Sequence, residues 1–309
     1  MFGICKGDMR TSLKARHSSG PSCVTTVASD HRWAATLSTV CRKLARTFVD
    51  ALFPGVCFAC GKVFPITRSK SVSVELDESG QNRFKTLLGS CLCQGCRSQY
   101  TAVASPLCPH CGLPFEASHG PDHTCGDCIK RPPCYSEARA AGIYQGVLRA
   151  TIHQFKYKGR ENLARPLGRL LWLTFCDHWE PDRFDWIIPV PLHPERLRKR
   201  GFNQAQALVR EWPRLATQYG LPLSAARISP DLLVRHRPTE PQTGLKRDRR
   251  IINLRRAFSV TDQQRLRDRS ILLVDDVLTT GATADICAKT LLNAGASDVR
   301  VLTLARALL

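Results

Sequence analysis

The stretch Ile271-Leu-Leu-Val-Asp275-Asp276-Val-Leu-Thr279-Thr280-Gly281-Ala282-Thr283 decides how the rest of the chain is read. An apolar run ends in two adjacent carboxylates, and a turn of hydroxyls and glycine then opens a second apolar run. That order predicts a strand over Ile271 to Asp275, a ligand-facing turn, and a helix over Ala282 to Asn293 closed by Gly295. Backbone N–H groups at a helix start, the Thr hydroxyls and the positive end of the helix dipole together form a cradle for a phosphate. Gly281 lets the backbone approach a ligand with no Cβ in the way. Two carboxylates repel phosphate, yet they accept hydrogen bonds from the vicinal hydroxyls of a ribose, with or without Mg2+. A 5-phosphorylated sugar meets both halves of the turn. The plainer alternative is an ordinary turn in which Asp276 only caps a helix.

Outward from this stretch, elements alternate. Ile143-Tyr144 reads as the end of a strand, Gly146 to Phe155 and Leu163 to Phe175 as helices, and Trp186 to Val190 as a buried strand. Asn203 to Trp212 reads as a helix that Pro213 should end or kink, and Val299 to Ala305 as a final strand. Strand, helix, strand at this spacing implies parallel pairing through right-handed crossovers, so residues 135–309 are expected to be an α/β domain. In such a sheet the ligand crevice lies beyond the carboxyl ends of the strands, where Thr279 to Thr283 would sit.

The chain has 309 residues and a formal charge of +19, with 43% apolar residues, enough to bury a core. Residues 193–256 alone carry 15 basic and 5 acidic side chains, a patch that calls for an anion. No run of 18 uncharged apolar residues exists, and Lys6, Asp8, Arg10, Lys14 and Arg16 interrupt the start, so neither a membrane span nor a secretory signal is expected. Residues 1–32 are Ser/Thr-rich and aperiodic and read as a disordered extension. Residues 33–56 place Leu37, Val40, Cys41, Leu44, Phe48 and Leu52 at helical steps among basic residues, which predicts an amphipathic helix docking on its own protein, with a membrane surface or a partner as the alternative.

Of the 15 cysteines, eight form four Cys-x-x-Cys pairs: Cys57/Cys60, Cys93/Cys96, Cys108/Cys111 and Cys125/Cys128. Each pair is a hairpin that presents two thiolates to one tetrahedral ion, so residues 57–134 are expected to hold two structural Zn2+. Sequential pairing is preferred from the spacing, and an interleaved arrangement stays open. A redox Cys-x-x-Cys normally occurs once, at a helix start, and four copies in a Gly/Pro-rich segment argue against it. His110, His119 and His123 lie nearby as substitute ligands.

The Val-Asp-Asp-Val-Leu-Thr-Thr-Gly-Ala-Thr run resembles the phosphoribosyl pyrophosphate (PRPP) signature of type I phosphoribosyltransferases. Together with Ile152-His153-Gln-Phe-Lys156-Tyr157-Lys158-Gly159, Pro189-Val190-Pro191-Leu192-His193, Arg200-Gly201-Phe202-Asn203-Gln204-Ala205 and Thr239 to Asn253, the chain resembles the ComF family from about residue 48 to 306. The resemblance implies a double zinc ribbon ahead of a type I phosphoribosyltransferase-like domain that binds PRPP with Mg2+. It implies that Asp275 and Asp276 face the ribose hydroxyls and that Thr279, Thr280, Gly281, Ala282 and Thr283 hold the 5-phosphate. It also implies a cytoplasmic role in natural transformation, handling single-stranded DNA, with competence-machinery proteins as partners and peripheral placement at the inner membrane.

Physical reasoning adds further candidates. The Pro189 to His193 loop should border the pyrophosphate end, with His193 as a contact or a loop cap. Arg196, Arg198, Lys199 and Arg200 read as a basic loop entering a helix, and Arg200 is the best functional arginine, grouped with Asp275 and Asp276 as catalytic candidates. Arg250 lies in a basic segment, Thr239 to Asn253, able to close over a charged substrate or track a nucleic-acid backbone. Lys156 and Lys158 are surface charges or anion contacts. Phe202, Trp186, Tyr157 and Trp212 are available for stacking, although most should be core. The alternative function is an active phosphoribosyltransferase of nucleotide or sugar-phosphate salvage, for which no acceptor motif is visible.

Overall fold

The computed structural model describes residues 54–65, 80–116, 119–236 and 257–308. A short antiparallel pair, β1 (Gly55–Val56) and β2 (Val63–Phe64), flanks the first Cys-x-x-Cys turn. Helix α1 (Gly80–Leu87) follows, then two short turns of helix that start at cysteine pairs, α2 (Gln94–Arg97) and α3 (Gly126–Lys130). Cys93 and Cys125 cap these two in extended conformation, so each helix begins immediately after a thiol.

The α/β domain runs β3 (Glu137–Ile143), α4 (Gly146–Tyr157), α5 (Ala164–His178), β4 (Trp186–Pro189), α6 (Pro194–Arg200), α7 (Gln204–Val209), α8 (Trp212–Tyr219), β5 (Leu233–Arg235), β6 (Phe258–Val260), β7 (Ser270–Leu278), α9 (Ala282–Asn293) and β8 (Asp298–Arg306). Strands β3, β8, β7 and β4 form one sheet in that order, every pair parallel, while β5 and β6 form a separate antiparallel pair. The expected parallel α/β class is therefore the observed one. Ile271, Leu272, Leu273 and Val274 in β7 are all completely buried, because helices cover both faces of the sheet. Leu272 and Val274 join the core built on α4 and α5, and Ile271 and Leu273 join the one built on α9. In the first core Trp172, Phe175 and Trp212 pack ring against ring at 5.3–5.6 Å. Each such pair contributes about 0.5–1.5 kcal/mol beyond its buried area. Gly168 is a requirement of this packing, because a Cβ there would collide with the Leu208 carbonyl oxygen of α7.

Three expectations change. The strand carrying the acid pair does not stop at Asp275 but continues to Leu278, since β8 offers ladder partners to Val277 and Leu278. The basic run before Gly201 is itself the helix α6. His193 caps it by accepting from the Glu195 N–H at 3.3 Å, Pro194 supplies the preset first turn, and Gly201 ends it in the left-handed region (φ 82°). Pro213 neither ends nor kinks a helix. The break falls at Arg210-Glu211, and Pro213 sits in the first turn of α8, where its missing N–H has no partner to lose.

The expected disordered extension and nearly all of the amphipathic helix lie outside the described residues, although Gly55–Val56 at its expected end is strand. No helix among the described residues is long and apolar enough to cross a membrane.

Candidate functional site

Because all four sheet strands are parallel, their carboxyl ends lie along one edge, and the acid pair sits there in β7. Asp276 is buried and ion-paired with Lys156 Nζ at 2.8 Å, which brings the end of α4 to the tip of β7. Asp275 accepts from the Asp276 N–H at 2.8 Å. Burial and the adjoining Asp276 carboxylate push Asp275 up to about 7, against the lowering pull of Lys156, the Asp276 N–H and Arg235. For Lys156, burial works against the charge, but Asp276 and Asp275 outweigh it and hold the ammonium above its ordinary value. Asp275 is thus held toward its neutral form, a state poised to gain from a cation or from hydroxyl donors.

Beyond Leu278 the chain turns through Thr279, Thr280 and Gly281, and Gly281 (φ 77°) caps α9. Thr280 Oγ1 accepts from the Ala282 N–H at 3.4 Å, and the first helical bond runs from the Asp285 N–H to the Gly281 carbonyl at 2.8 Å. The amides of a first helical turn have no partner within the helix and point outward along the dipole, the arrangement that holds anions. The positive φ makes glycine necessary at 281, and a Cβ there would also lie 3.1 Å from the Tyr135 hydroxyl.

A basic cavity of about 590 Å3 is lined by Lys156, Tyr157, Gly159, Arg196, Lys199 and Arg200. Arg200 donates from Nη2 to the Tyr157 hydroxyl at 3.1 Å, with its guanidinium 4.8 Å from the ring centroid. Lys156 lines this cavity and also pairs with Asp276, so one side chain links the α6 cations to the acid pair. Of the four aromatic residues considered for stacking, Tyr157 is exposed. Trp212 is fully buried, Phe202 packs on Phe155 and Trp186 lies beneath the Arg265 guanidinium. The loop after β4 is stapled to α7 by Asn203, whose amide donates to the Val190 carbonyl at 3.1 Å while its Oδ1 accepts from the Ala205 N–H at 3.0 Å. His193 is buried and spends Nδ1 on capping α6.

Arg235 is a site residue that sequence reading missed. It is buried on β5, its guanidinium is 5.2 Å from the Phe258 ring centroid, and its charge reaches both Asp275 and Arg196. No local pattern singles out one arginine among the many of residues 193–256. The Thr239 to Asn253 segment, with Arg250, lies outside the described residues.

The eight paired cysteines gather as Cys57, Cys60, Cys93 and Cys96, and as Cys108, Cys111, Cys125 and Cys128, with all ligand atoms of each group within 4.8 Å of one another. This is the sequential pairing. Sulfurs of Cys60 and Cys93 are 3.8 Å apart and those of Cys111 and Cys125 are 3.7 Å apart. A tetrahedron with Zn–S bonds of about 2.3 Å has edges of about 3.8 Å, so the donor set fits zinc. In each tetrad burial opposes ionisation of the first cysteine, but backbone N–H donors win, and Cys57 and Cys108 are drawn down to about 6. The last cysteines, Cys96 and Cys128, are pushed far up by burial and by the neighbouring thiols. Four thiolates cannot share so small a volume without a cation, and a divalent ion resolves the conflict. His123 is not a ligand here; it stacks on Phe115 at 3.8 Å.

No protein-family model matches the chain. Competence protein F of Haemophilus influenzae is 34% identical over 222 residues, spanning 70% of this chain and 90% of that protein. DNA utilization protein YhgH of Escherichia coli K12 is 35% identical over 224 residues, with 70% and 91% covered. Competence protein ComFC of Bacillus subtilis is 28% identical over 222 residues, with 70% and 84% covered. The solved structure of an allosteric regulatory enzyme of purine biosynthesis aligns with 48% of the chain and 29% of its own at 18% identity, with a TM-score of 0.29, an overlap too low to bear on the fold. With a third of residues shared along nine-tenths of the first relative, and with two four-cysteine groups ahead of a parallel α/β domain, the chain belongs to the ComF family.

Proposed function

We propose that the chain binds PRPP, or a related 5-phosphorylated ribose, on the Asp275 to Thr283 turn, and that this site serves the handling of single-stranded DNA during DNA uptake. The observation that carries the reading is the Lys156–Asp276 ion pair, because it ties the acid pair to the lining of the basic cavity. In this reading the Thr279 to Thr283 turn takes the 5-phosphate, and Asp275 and Asp276 take the ribose hydroxyls, with Mg2+ entering alongside the ligand. Arg196, Lys199 and Arg200 then face the pyrophosphate end or a nucleic-acid backbone. The names of the relatives, competence protein F and DNA utilization protein, support the process.

A catalytic role would follow from the same placement: departure of pyrophosphate from the ribose carbon leaves an oxocarbenium-like centre beside the acid pair, while the α6 cations stabilise the leaving group. Calorimetric titration with PRPP and Mg2+, paired with binding of an oligothymidylate at 50 and 200 mM salt, tests the proposal. PRPP binding lost in Asp275→Asn/Asp276→Asn, and DNA binding that weakens with salt and is reduced in Arg200→Ala, are the expected results. Absence of PRPP binding in zinc-loaded protein at millimolar ligand would overturn the sugar-phosphate assignment. Release of pyrophosphate on adding an acceptor would assign a transferase reaction as well.

A further inference from the structure

Arg306, the last residue of β8, belongs to no motif in the sequence, yet it is buried at the junction of two sites. Its Nε donates to the Cys111 carbonyl at 3.0 Å, and its Nη2 lies 3.7 Å from the Cys111 sulfur, a member of the second tetrad. Its Nη1 reaches the carbonyl oxygens of Thr279 at 2.6 Å, Ala307 at 2.7 Å and Leu278 at 3.2 Å. Leu278 and Thr279 are the residues that lead into the Thr280-Gly281 turn. One guanidinium therefore touches both a metal-ligand knuckle and the base of the turn. The fork of donors on arginine can hold several carbonyls in fixed directions at once, which a lysine ammonium does less well.

The same junction is fastened at a second place. The Cys134 N–H, just past the second tetrad, donates to Asp285 Oδ1 in the first turn of α9 at 2.6 Å. The Tyr135 hydroxyl stands over Gly281, and the two segments enclose a cavity of about 220 Å3. Among the described residues, the first tetrad has no comparable link to the turn.

We propose that Arg306 is a positioning residue through which the second cysteine tetrad sets the shape of the Thr279 to Thr283 turn. Metal on the tetrad fixes the Cys108 to Cys111 knuckle. The knuckle fixes the Cys111 carbonyl and with it the guanidinium, and the guanidinium fixes the Leu278 and Thr279 carbonyls. The effect on ligand affinity rests on the sugar-phosphate reading above; the effect on the turn itself does not.

Hydrogen exchange of the full zinc-loaded chain tests the link, using Arg306→Lys, Cys128→Ser in the second tetrad, Cys60→Ser in the first, and the Arg306→Lys/Cys128→Ser double variant. Arg306→Lys and Cys128→Ser should each speed exchange by about tenfold at the amides bonded to the turn, Asp285 N–H on the Gly281 carbonyl and Ala307 N–H on the Leu278 carbonyl, a usual size for coupling between sites. The double variant should be no worse than the more affected single one, and Cys60→Ser should leave the turn unchanged. Unchanged exchange in Arg306→Lys, additive effects in the double variant, or an equal effect from Cys60→Ser would each overturn the proposal. If Cys128→Ser does not fold, zinc transfer to a colorimetric chelator decides: Arg306→Lys should accelerate one of two phases, and two unchanged phases sink the idea. Wild-type protein that shows the coupling but binds no PRPP would refute the ligand assignment and leave the positioning role standing.

Discussion

The two cysteine tetrads share a ligand set and a spacing and differ in what surrounds them. Cys57 and Cys96 are part of the main core, continuous with Cys91, Leu92, Phe84 and Tyr100 and through them with α5. The Tyr100 ring stacks on Phe84 at 3.9 Å and its hydroxyl donates to the Ala141 carbonyl at 2.5 Å. Thr101 and Val103 hydrogen-bond to the edge of β3, and the buried Arg83 pairs with Asp177 at the end of α5. The second tetrad has only itself for a core, with Leu113 and Phe115 at its edge. Its ties to the domain include the polar contacts of Arg306, of Arg139 to the Pro109 carbonyl at 3.0 Å, of the His110 carbonyl to the Ala138 N–H at 2.7 Å, and of the Cys134 N–H to Asp285. One motif thus performs two tasks. The first is continuous with a structure that hydrophobic burial already holds, whereas the second, in the positioning role proposed for Arg306, passes its order on to the Thr279 to Thr283 turn.

Stripping the metal should separate the two most sharply. Apparent binding free energies of structural zinc run to about 10 kcal/mol or more, far above what the small apolar cluster of the second tetrad supplies. Chelation at neutral pH should therefore abolish exchange protection across residues 107–130 while the segment from Leu88 to Leu92 keeps most of its own; equal loss in both would remove the distinction.

A smaller break is aimed at the first tetrad. A Cβ on Gly142 would lie 2.5 Å from the Tyr100 ring and 2.9 Å from Leu148, in a fully packed region. Gly142→Ala should cost about 1–3 kcal/mol in chemical denaturation, as overpacking does. It should also speed zinc loss from the first tetrad and not from the second. Tyr100→Phe removes one buried hydrogen bond and keeps the stacking. A loss of about 1 kcal/mol with both zincs retained is expected.

Titration of the acid pair gives the finest test. Asp275 is raised to about 7 from an ordinary 3.8, so its effect on folding is most favourable below about pH 4 and declines as pH climbs to 7, with a slope of at most about 1.4 kcal/mol per pH unit. Asp275→Asn should flatten that part of the stability profile. Mg2+-dependent ligand binding should run the other way, strengthening as pH rises toward 7, because the cation competes with the proton. In Arg306→Lys the affinity should drop while the midpoint stays in place, since Asp275 is tuned by burial, Asp276, Lys156 and Arg235 rather than by the second-tetrad segment. A shifted midpoint would blur the line between the two regions.

Much of this architecture is legible from neighbours in the chain. Cys-x-x-Cys hairpins, the strand before Thr279, the turn at Gly281 and the cap at Asn203 all depend on residues a few positions apart, where backbone geometry and spacing leave few choices. The end of β7 escapes such a reading because ladder partners on β8 extend it, and α6 reads as a loop because its charges hide a cap, a first-turn proline and a closing glycine.

Residue types near one another in sequence thus determined the metal-ligand pairs, the parallel α/β order and the acid-hydroxyl-glycine turn. The tertiary structure alone decided that Lys156 faces Asp276, that the charge of Arg235 acts on Asp275, and that Arg306 spans from Cys111, 195 positions away, to Thr279. The physical reason is that a lone lysine or arginine has no periodicity or spacing to betray its partner. Which anion or carbonyl it meets is set by how sheet, helices and cysteine hairpins pack.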